Sequence, residues 1–281
     1  CNMADHGYGT LSERKYLVIH DPKTHLAESP KERFLAIIFG GSLLSFNAGF
    51  INVISLLISN VLVSHTTGNI TKSAITLTEG EYFSFLEVSV MLPCFVLGSF
   101  ITTMLIDQRT FHLTKQFNVV FLICTILLTL ASFVGVYTTS RQLYAYLATL
   151  ACGMQNALTT KYSGSIIRTT HTTGMATDIG ICLGRIVKGK PNEVWKLQVQ
   201  LPLLCSFFAG GVAGALAHKE LGKYTMFICA GLSASIAVLY VVTLAYTRQE
   251  SLYTAAFGKD DDIYEHTVIS QDASGVDATV V

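Results

Sequence analysis

The sequence predicts an all-α polytopic membrane protein made of two inverted-topology repeats of three spans each. Three observations carry that expectation. Apolar residues fall in blocks about 20 long, the length that crosses a hydrocarbon core of roughly 30 Å. Lysine and arginine gather on alternate connections between those blocks. One polar motif, His-Thr-Thr-Gly, occurs twice at corresponding places in the chain.

Composition already separates this chain from soluble proteins. Of its 281 residues, 51% are hydrophobic and 14% charged, with a mean hydropathy of +0.48. An ordinary soluble domain is about 25% charged. The formal net charge of zero gives nucleic acid no electrostatic footprint. Cys94, Cys124, Cys152, Cys182, Cys205 and Cys229 fall in or beside apolar segments at irregular spacings. They read as reduced thiols rather than as a disulfide framework.

Taken in order, residues 1–33 form a polar N-terminal segment without the short apolar core of a signal peptide. A transmembrane domain follows over 34–246, with repeat one at 34–137 and repeat two at 142–246. Its six spans are expected at 34–62, 84–106, 117–137, 142–160, 197–217 and 223–246. The first is long for one helix and contains Asn47, Asn52 and Asn60. Semi-polar stretches, unlike ordinary loops, separate spans one and two and spans four and five. Residues 247–281, with Asp260, Asp261, Asp262, Asp272 and Asp277, read as a disordered acidic tail.

Charge sets the orientation. With six spans, only Lys72, Arg141, Lys219 and Lys223 fall on the side away from the termini. All other lysines and arginines lie with the termini, which are therefore expected in the cytoplasm, with the protein in the plasma (inner) membrane. A seven-span arrangement divides the charges less cleanly.

The repeat is read from four ordered correspondences. Gly49-Phe50-Ile51-Asn52 matches Gly153-Met154-Gln155-Asn156 at an offset of 104 residues. His65-Thr66-Thr67-Gly68-Asn69-Ile70-Thr71-Lys72 matches His171-Thr172-Thr173-Gly174-Met175-Ala176-Thr177-Asp178 at 106. Leu92-Pro93 and Leu201-Pro202 each open a glycine-containing span, with Gly98 in one and Gly210, Gly211 and Gly214 in the other. Three spans per half is an odd number, so the second copy enters the bilayer upside down, as in many transporters with a midplane site at the repeat interface.

Each HTTG sequence stands where a short broken or re-entrant helix is expected to start. A first helical turn carries unpaired N–H groups, and threonine is a favourable N-cap. Glycine permits close approach of the backbone. Two such starts meeting near the membrane centre make a donor-rich, partly positive spot suited to a polar or anionic solute. The candidate substrate-binding residues are therefore Asn52, His65, Thr66, Thr67, Gly68, Asn69, Asn156, His171, Thr172, Thr173 and Gly174. The plainer alternative is that threonine and glycine only cap and pack two helices. Asn52 and Asn156 either line a pathway or hydrogen-bond the broken backbone. His65 and His171 read as capping or hydrogen-bonding groups, since neither has a carboxylate or thiolate at ligand spacing. Lys72 and Asp178, equivalent in the repeat and opposite in sign, form an ion pair if the halves bring them together. Otherwise they are solvated at opposite surfaces.

The sequence also resembles a known family. Gly-x-x-Asn, Thr67-Gly68-Asn69 and Gly153-Met154-Gln155-Asn156-Ala157 look like the YoaK-like family, six-span membrane proteins of bacteria and fungi under a domain-of-unknown-function label. The likeness covers roughly 34–246 and implies a transporter without naming its substrate. The family commonly has aspartate where this chain has Asn52, which weakens any proton coupling through that position. It often has Asn-Met-Thr-Gly-Asn where this chain has His65-Thr66-Thr67-Gly68-Asn69.

The functional expectation is a secondary transporter of a small polar or anionic solute. A channel or a non-transporting membrane protein is the alternative, with an intramembrane enzyme the most remote. No HExxH, GxSxG or phosphate-binding glycine loop appears, and no enzymatic activity is expected. Expected partners are the lipid bilayer and an unidentified small molecule, with self-association left open; no cofactor, metal or nucleic acid is called for.

Overall fold

In the computed structural model the described residues are 31–106, 113–138, 140–190 and 194–258, and all regular structure among them is helical. The helices are α1 (Lys31–Ser59), α2 (Thr66–Thr78), α3 (Tyr82–Ser89), α4 (Met91–Leu105) and α5 (Gln116–Tyr137). They continue with α6 (Arg141–Tyr162), α7 (Thr172–Val187), α8 (Val194–Leu221), α9 (Thr225–Arg248) and α10 (Leu252–Phe257). A 3-10 turn, Gly222–Tyr224, joins α8 to α9.

Four stretches are long and apolar enough to cross a membrane: Lys31–Ser59, Tyr82–Leu105, Gln116–Tyr137 and Val194–Arg248, the last containing both α8 and α9. Their outward faces carry exposed Phe39, Phe100, Met104, Phe133, Phe208 and Val238. Helices that are apolar all round belong in lipid or a large core. α6 has the extent expected for the fourth span but a more polar composition, because it is enclosed by protein. Tyr144, Ala145, Ala148, Ala151, Cys152 and Met154 are all buried on it.

Several boundaries differ from the sequence reading for identifiable reasons. α1 stops at Ser59 because Asn60 takes the left-handed conformation, with φ of 55°, so residues 60–62 leave the expected first span. The second span is interrupted at Val90, between α3 and α4. Pro93 lacks the N–H that Ser89 would receive. The expected disordered tail does not begin at 247. α9 runs to Arg248, and Ser251 caps α10 by accepting from the Thr254 N–H at 3.1 Å. Residues 1–30 and 259–281, including the five tail aspartates, lie outside the described residues.

Packing pairs helices from opposite halves. α1 runs along α8, α6 runs along α4, and α5 contacts both α6 and α9. Glycines make these approaches possible. A Cβ on Gly49 or Gly210 would collide with the carbonyl of Phe207 or Phe46 across the α1–α8 contact. A Cβ on Gly153 or Gly98 would collide with that of Phe95 or Leu150 across α6–α4. These are the same contacts displaced by 104 residues on one helix and 112 on the other. Contact register thus matches α4 with α8 at 112, whereas the Leu-Pro match stands at 109. Leu92-Pro93 and Leu201-Pro202 are therefore not structural counterparts. They differ by three residues, nearly one helical turn.

Candidate functional site

The chain doubles back after α1. The Ser64 N–H donates to Asn52 Oδ1 at 3.2 Å, which places residue 64 beside a point seven residues inside the end of α1. At 1.5 Å per residue this recess is about 10 Å. α2 then runs back toward the end of α1, where Lys72 Nζ donates to the Asn60 carbonyl at 3.2 Å. The second half repeats the first step: Thr170 Oγ1 donates to Asn156 Oδ1 at 3.0 Å. Both asparagines thus tie a returning strand of chain to the helix it has just left.

His65 and His171, not the threonines, occupy the N-cap positions of α2 and α7, and neither side chain makes a capping hydrogen bond. The first intrahelical bonds run from Asn69 to His65 and from Met175 to His171, each at 3.1 Å. The N–H groups of Thr66–Gly68 and Thr172–Gly174 precede them and have no intrahelical acceptor. The two glycines serve a different purpose from a bend. A Cβ on Gly68 would strike the His65 imidazole, and one on Gly174 the His171 imidazole. Bare backbone seats each ring over the first turn of its own helix.

Two cavities adjoin these starts. The smaller, about 270 Å³, is lined by Ser64, Thr66 and Phe95 from the first half and by Asn156, Thr160, Arg168, Thr170 and His171 from the second. It is the place where the two motifs come together. The larger, about 420 Å³, belongs to the second half, and its wall includes Ser165, Arg168, His171, Thr173, Gly174, Thr177, Asp178 and Gln200. Arg168 and His171 line both. The half-buried Arg168 side chain has no hydrogen-bond or ion-pair partner among the described residues.

The sequence candidates divide accordingly. Thr66, Asn156, His171, Thr173 and Gly174 line a cavity. Asn52 is buried, lines neither, and accepts from Ser64, which lines the smaller one. Asn69 is also buried, its Nδ2 donating to the Leu62 carbonyl at 2.8 Å. His65 and Thr67 are exposed and line neither cavity, and Thr172 lines neither. Lys72 and Asp178 do not pair: Lys72 binds the Asn60 carbonyl, and Asp178 Oδ2 lies 3.5 Å from Gln200 Nε2. Each stands near the middle of its own helix, Lys72 in α2 and Asp178 in α7. Arg168 was absent from the sequence candidates, although a lone arginine three residues before HTTG in a semi-polar stretch is a legible signal. Gln200 had no comparable signal, because it is brought in by α8 from 22 residues beyond Asp178.

An all-helical chain with several bilayer-length apolar stretches and polar cavities at interior helix starts defines an integral membrane protein. The chain belongs to the family described as protein of unknown function (DUF1275), whose model matches residues 40–239. This is the YoaK-like family that its Thr-Gly-Asn and Gly-Met-Gln-Asn-Ala blocks resemble. No curated protein and no solved structure matches it.

Proposed function

We propose that this protein is a secondary transporter of a small polar or anionic solute, with its site where the two HTTG helix starts meet. The observation that carries the reading is the cavity shared by Ser64 and Thr66 from one half and Asn156, Arg168, Thr170 and His171 from the other. Uncapped N–H groups and a guanidinium that has no partner among the described residues make its surroundings positive and rich in donors. That is the chemistry an anionic group seeks when it leaves water.

The inverted repeat supports this reading. The exchanged glycine contacts and the paired Asn52–Ser64 and Asn156–Thr170 bonds are what two copies related by a pseudo-twofold would make. α2 and α7 have 13 and 16 residues, about 20 and 24 Å, too short to cross the bilayer. They fit as re-entrant helices, leaving α1, α3–α4, α5, α6, α8 and α9 as six spans with both termini in the cytoplasm. The plasma (inner) membrane remains the proposed location. Irregular backbone at membrane depth is tolerated where it lines a cavity, and Ser64 of residues 60–65 and Ser165, Ile166, Arg168, Thr170 and His171 of residues 163–171 line the two cavities.

Uptake of a panel of labelled organic anions and polar metabolites into proteoliposomes tests the proposal. Saturable uptake that Arg168→Gln lowers at least tenfold is the expected result. The reading fails if no solute is taken up, or if Arg168→Gln transports as the parent does.

A further inference from the structure

The two halves differ at one corresponding place, and the difference points to a ligand group. In the first half the ammonium of Lys72 sits on the Asn60 carbonyl at 3.2 Å. The counterpart of Asn60, at the 106-residue offset of the HTTG blocks, is Ile166, and the counterpart of Lys72 is Asp178. There the Ile166 carbonyl receives Gln200 Nε2 at 3.1 Å, beside the Asp178 carboxylate. The second half therefore has no ammonium of its own at this place. It has an open cavity lined by Ile166, Asp178 and Gln200 instead. Gln200 is 95% buried, being 5% exposed, and its Oε1 accepts no hydrogen bond among the described residues. Its orientation is fixed, since both partners of Nε2 are oxygens. The Asp178 carboxylate on the wall of this cavity, which Gln200 Nε2 approaches only to 3.5 Å, is the group that wants a cationic donor.

The other end of the same cavity wants the opposite charge. The uncapped first turn of α7 stands there, and Arg168 lines the same cavity. Thr172 and Asp178 are six residues apart, about 9 Å along the helix axis, and side chains lean toward the helix N-terminus. One short solute therefore reaches both ends.

We infer that the solute is a zwitterion, a small amino acid whose carboxylate meets Arg168 and the α7 start while its ammonium meets the carboxylate of Asp178, the counterpart of Lys72, on the wall of the same cavity. This rests on the transporter reading, extends its site from the shared cavity into the larger one across Arg168 and His171, which line both, and narrows the solute from anions in general to amino acids.

The full chain in lipid nanodiscs tests it, using thermal stabilisation and calorimetric binding of 4-aminobutyrate, butyrate and butylamine. The expected result is that 4-aminobutyrate binds at least tenfold more tightly than either half-molecule. Asp178→Asn should remove that advantage by lowering 4-aminobutyrate affinity at least tenfold without lowering that for butyrate, and Asp178→Glu should retain part of it. If butyrate binds as well as 4-aminobutyrate and Asp178→Asn alters neither, the zwitterion inference is overturned while the anion reading stands. Stabilisation by sodium over choline that depends on Asp178, with no preference for the zwitterion, also overturns it and assigns the place to a metal cation. Absence of binding by all three, together with failure of the proteoliposome panel, removes both proposals.

Discussion

Gly49 and Phe207 touch backbone to backbone: a Cβ on the glycine would fall inside the van der Waals radius of the phenylalanine carbonyl. Gly153 and Phe95 repeat the relationship in the other half-to-half contact. Small residues allow this closeness, and in a bilayer close packing is what holds helices together, because lipid tails are as apolar as leucine. Gly49→Ala and Gly153→Ala should each destabilise by at least about 1–3 kcal/mol, the cost of overpacking against atoms that cannot rotate away. Gly40 and Gly184 have open space where a Cβ would stand, with nothing within 4 Å. Their alanine variants should melt within a degree or so of the parent, or slightly above it, since alanine favours helix. Thermal unfolding in detergent compares the four.

The two repeat asparagines should not be equally costly to remove. Asn52 accepts from a backbone N–H of buried Ser64, which has no other means of satisfaction once the amide is gone. A buried unsatisfied donor costs about 1–3 kcal/mol. Asn156 accepts from the Thr170 hydroxyl, which can rotate toward the adjacent cavity. Asn52→Ala should therefore lower the melting temperature more than Asn156→Ala. Asn52→Asp keeps an acceptor in place and should be close to neutral; equal losses in all three variants would contradict the assignment.

The long apolar helices were legible because lipid writes length and composition directly into sequence. The approach of Thr66 to His171 at one cavity was legible only through the recurrence of HTTG at corresponding places in the chain. What could not be read was local. Thr66 and Thr67 are adjacent and chemically identical, yet a 100° step per helical residue sends one toward the cavity and the other away from it. Gln200 and Asp178 meet only because α7 folds back on α8. The Leu-Pro pair misled by three residues because proline marks where a helix can start or bend, and that place need not keep register with the packing glycines.

That threonine pair supplies a direct test of the proposed site. Thr66→Val removes a hydroxyl from the shared cavity without changing size, whereas Thr67→Val changes an exposed residue outside both cavities. Losing one hydrogen bond to a charged group costs about 1.5–3 kcal/mol, or roughly 10- to 150-fold in affinity. Thr66→Val should weaken solute binding on that scale, and Thr67→Val should leave it within about twofold. The reverse order, measured by calorimetry on matched nanodisc samples, would move the site away from the shared cavity.

The end of the chain carries a prediction independent of transport. Lys115 Nζ lies 2.8 Å from Glu250 Oε2, with the lysine side chain 5% exposed and the glutamate 23%. Around this pair Asn118 Nδ2 donates to the Ala255 carbonyl at 2.6 Å, Arg248 to that of Leu113 at 2.8 Å and Tyr240 to that of Thr114 at 2.9 Å. The start of α5, the end of α9 and α10 are thereby bound into one unit, as expected of segments on the same side of the membrane. Removing one member of a fully buried pair costs about 3–5 kcal/mol, but Glu250 keeps access to water, which reduces the cost to roughly 1–2 kcal/mol. α10 has six residues and cannot hold as a helix without its docking surface. Lys115→Met should thus release residues 250–258 to limited proteolysis while barely changing the melting of the main bundle. The exchanged pair Lys115→Glu with Glu250→Lys should recover part of the protection. Unchanged cleavage in Lys115→Met would mean that α10 is held by its apolar contacts with Leu244 and Leu113 instead.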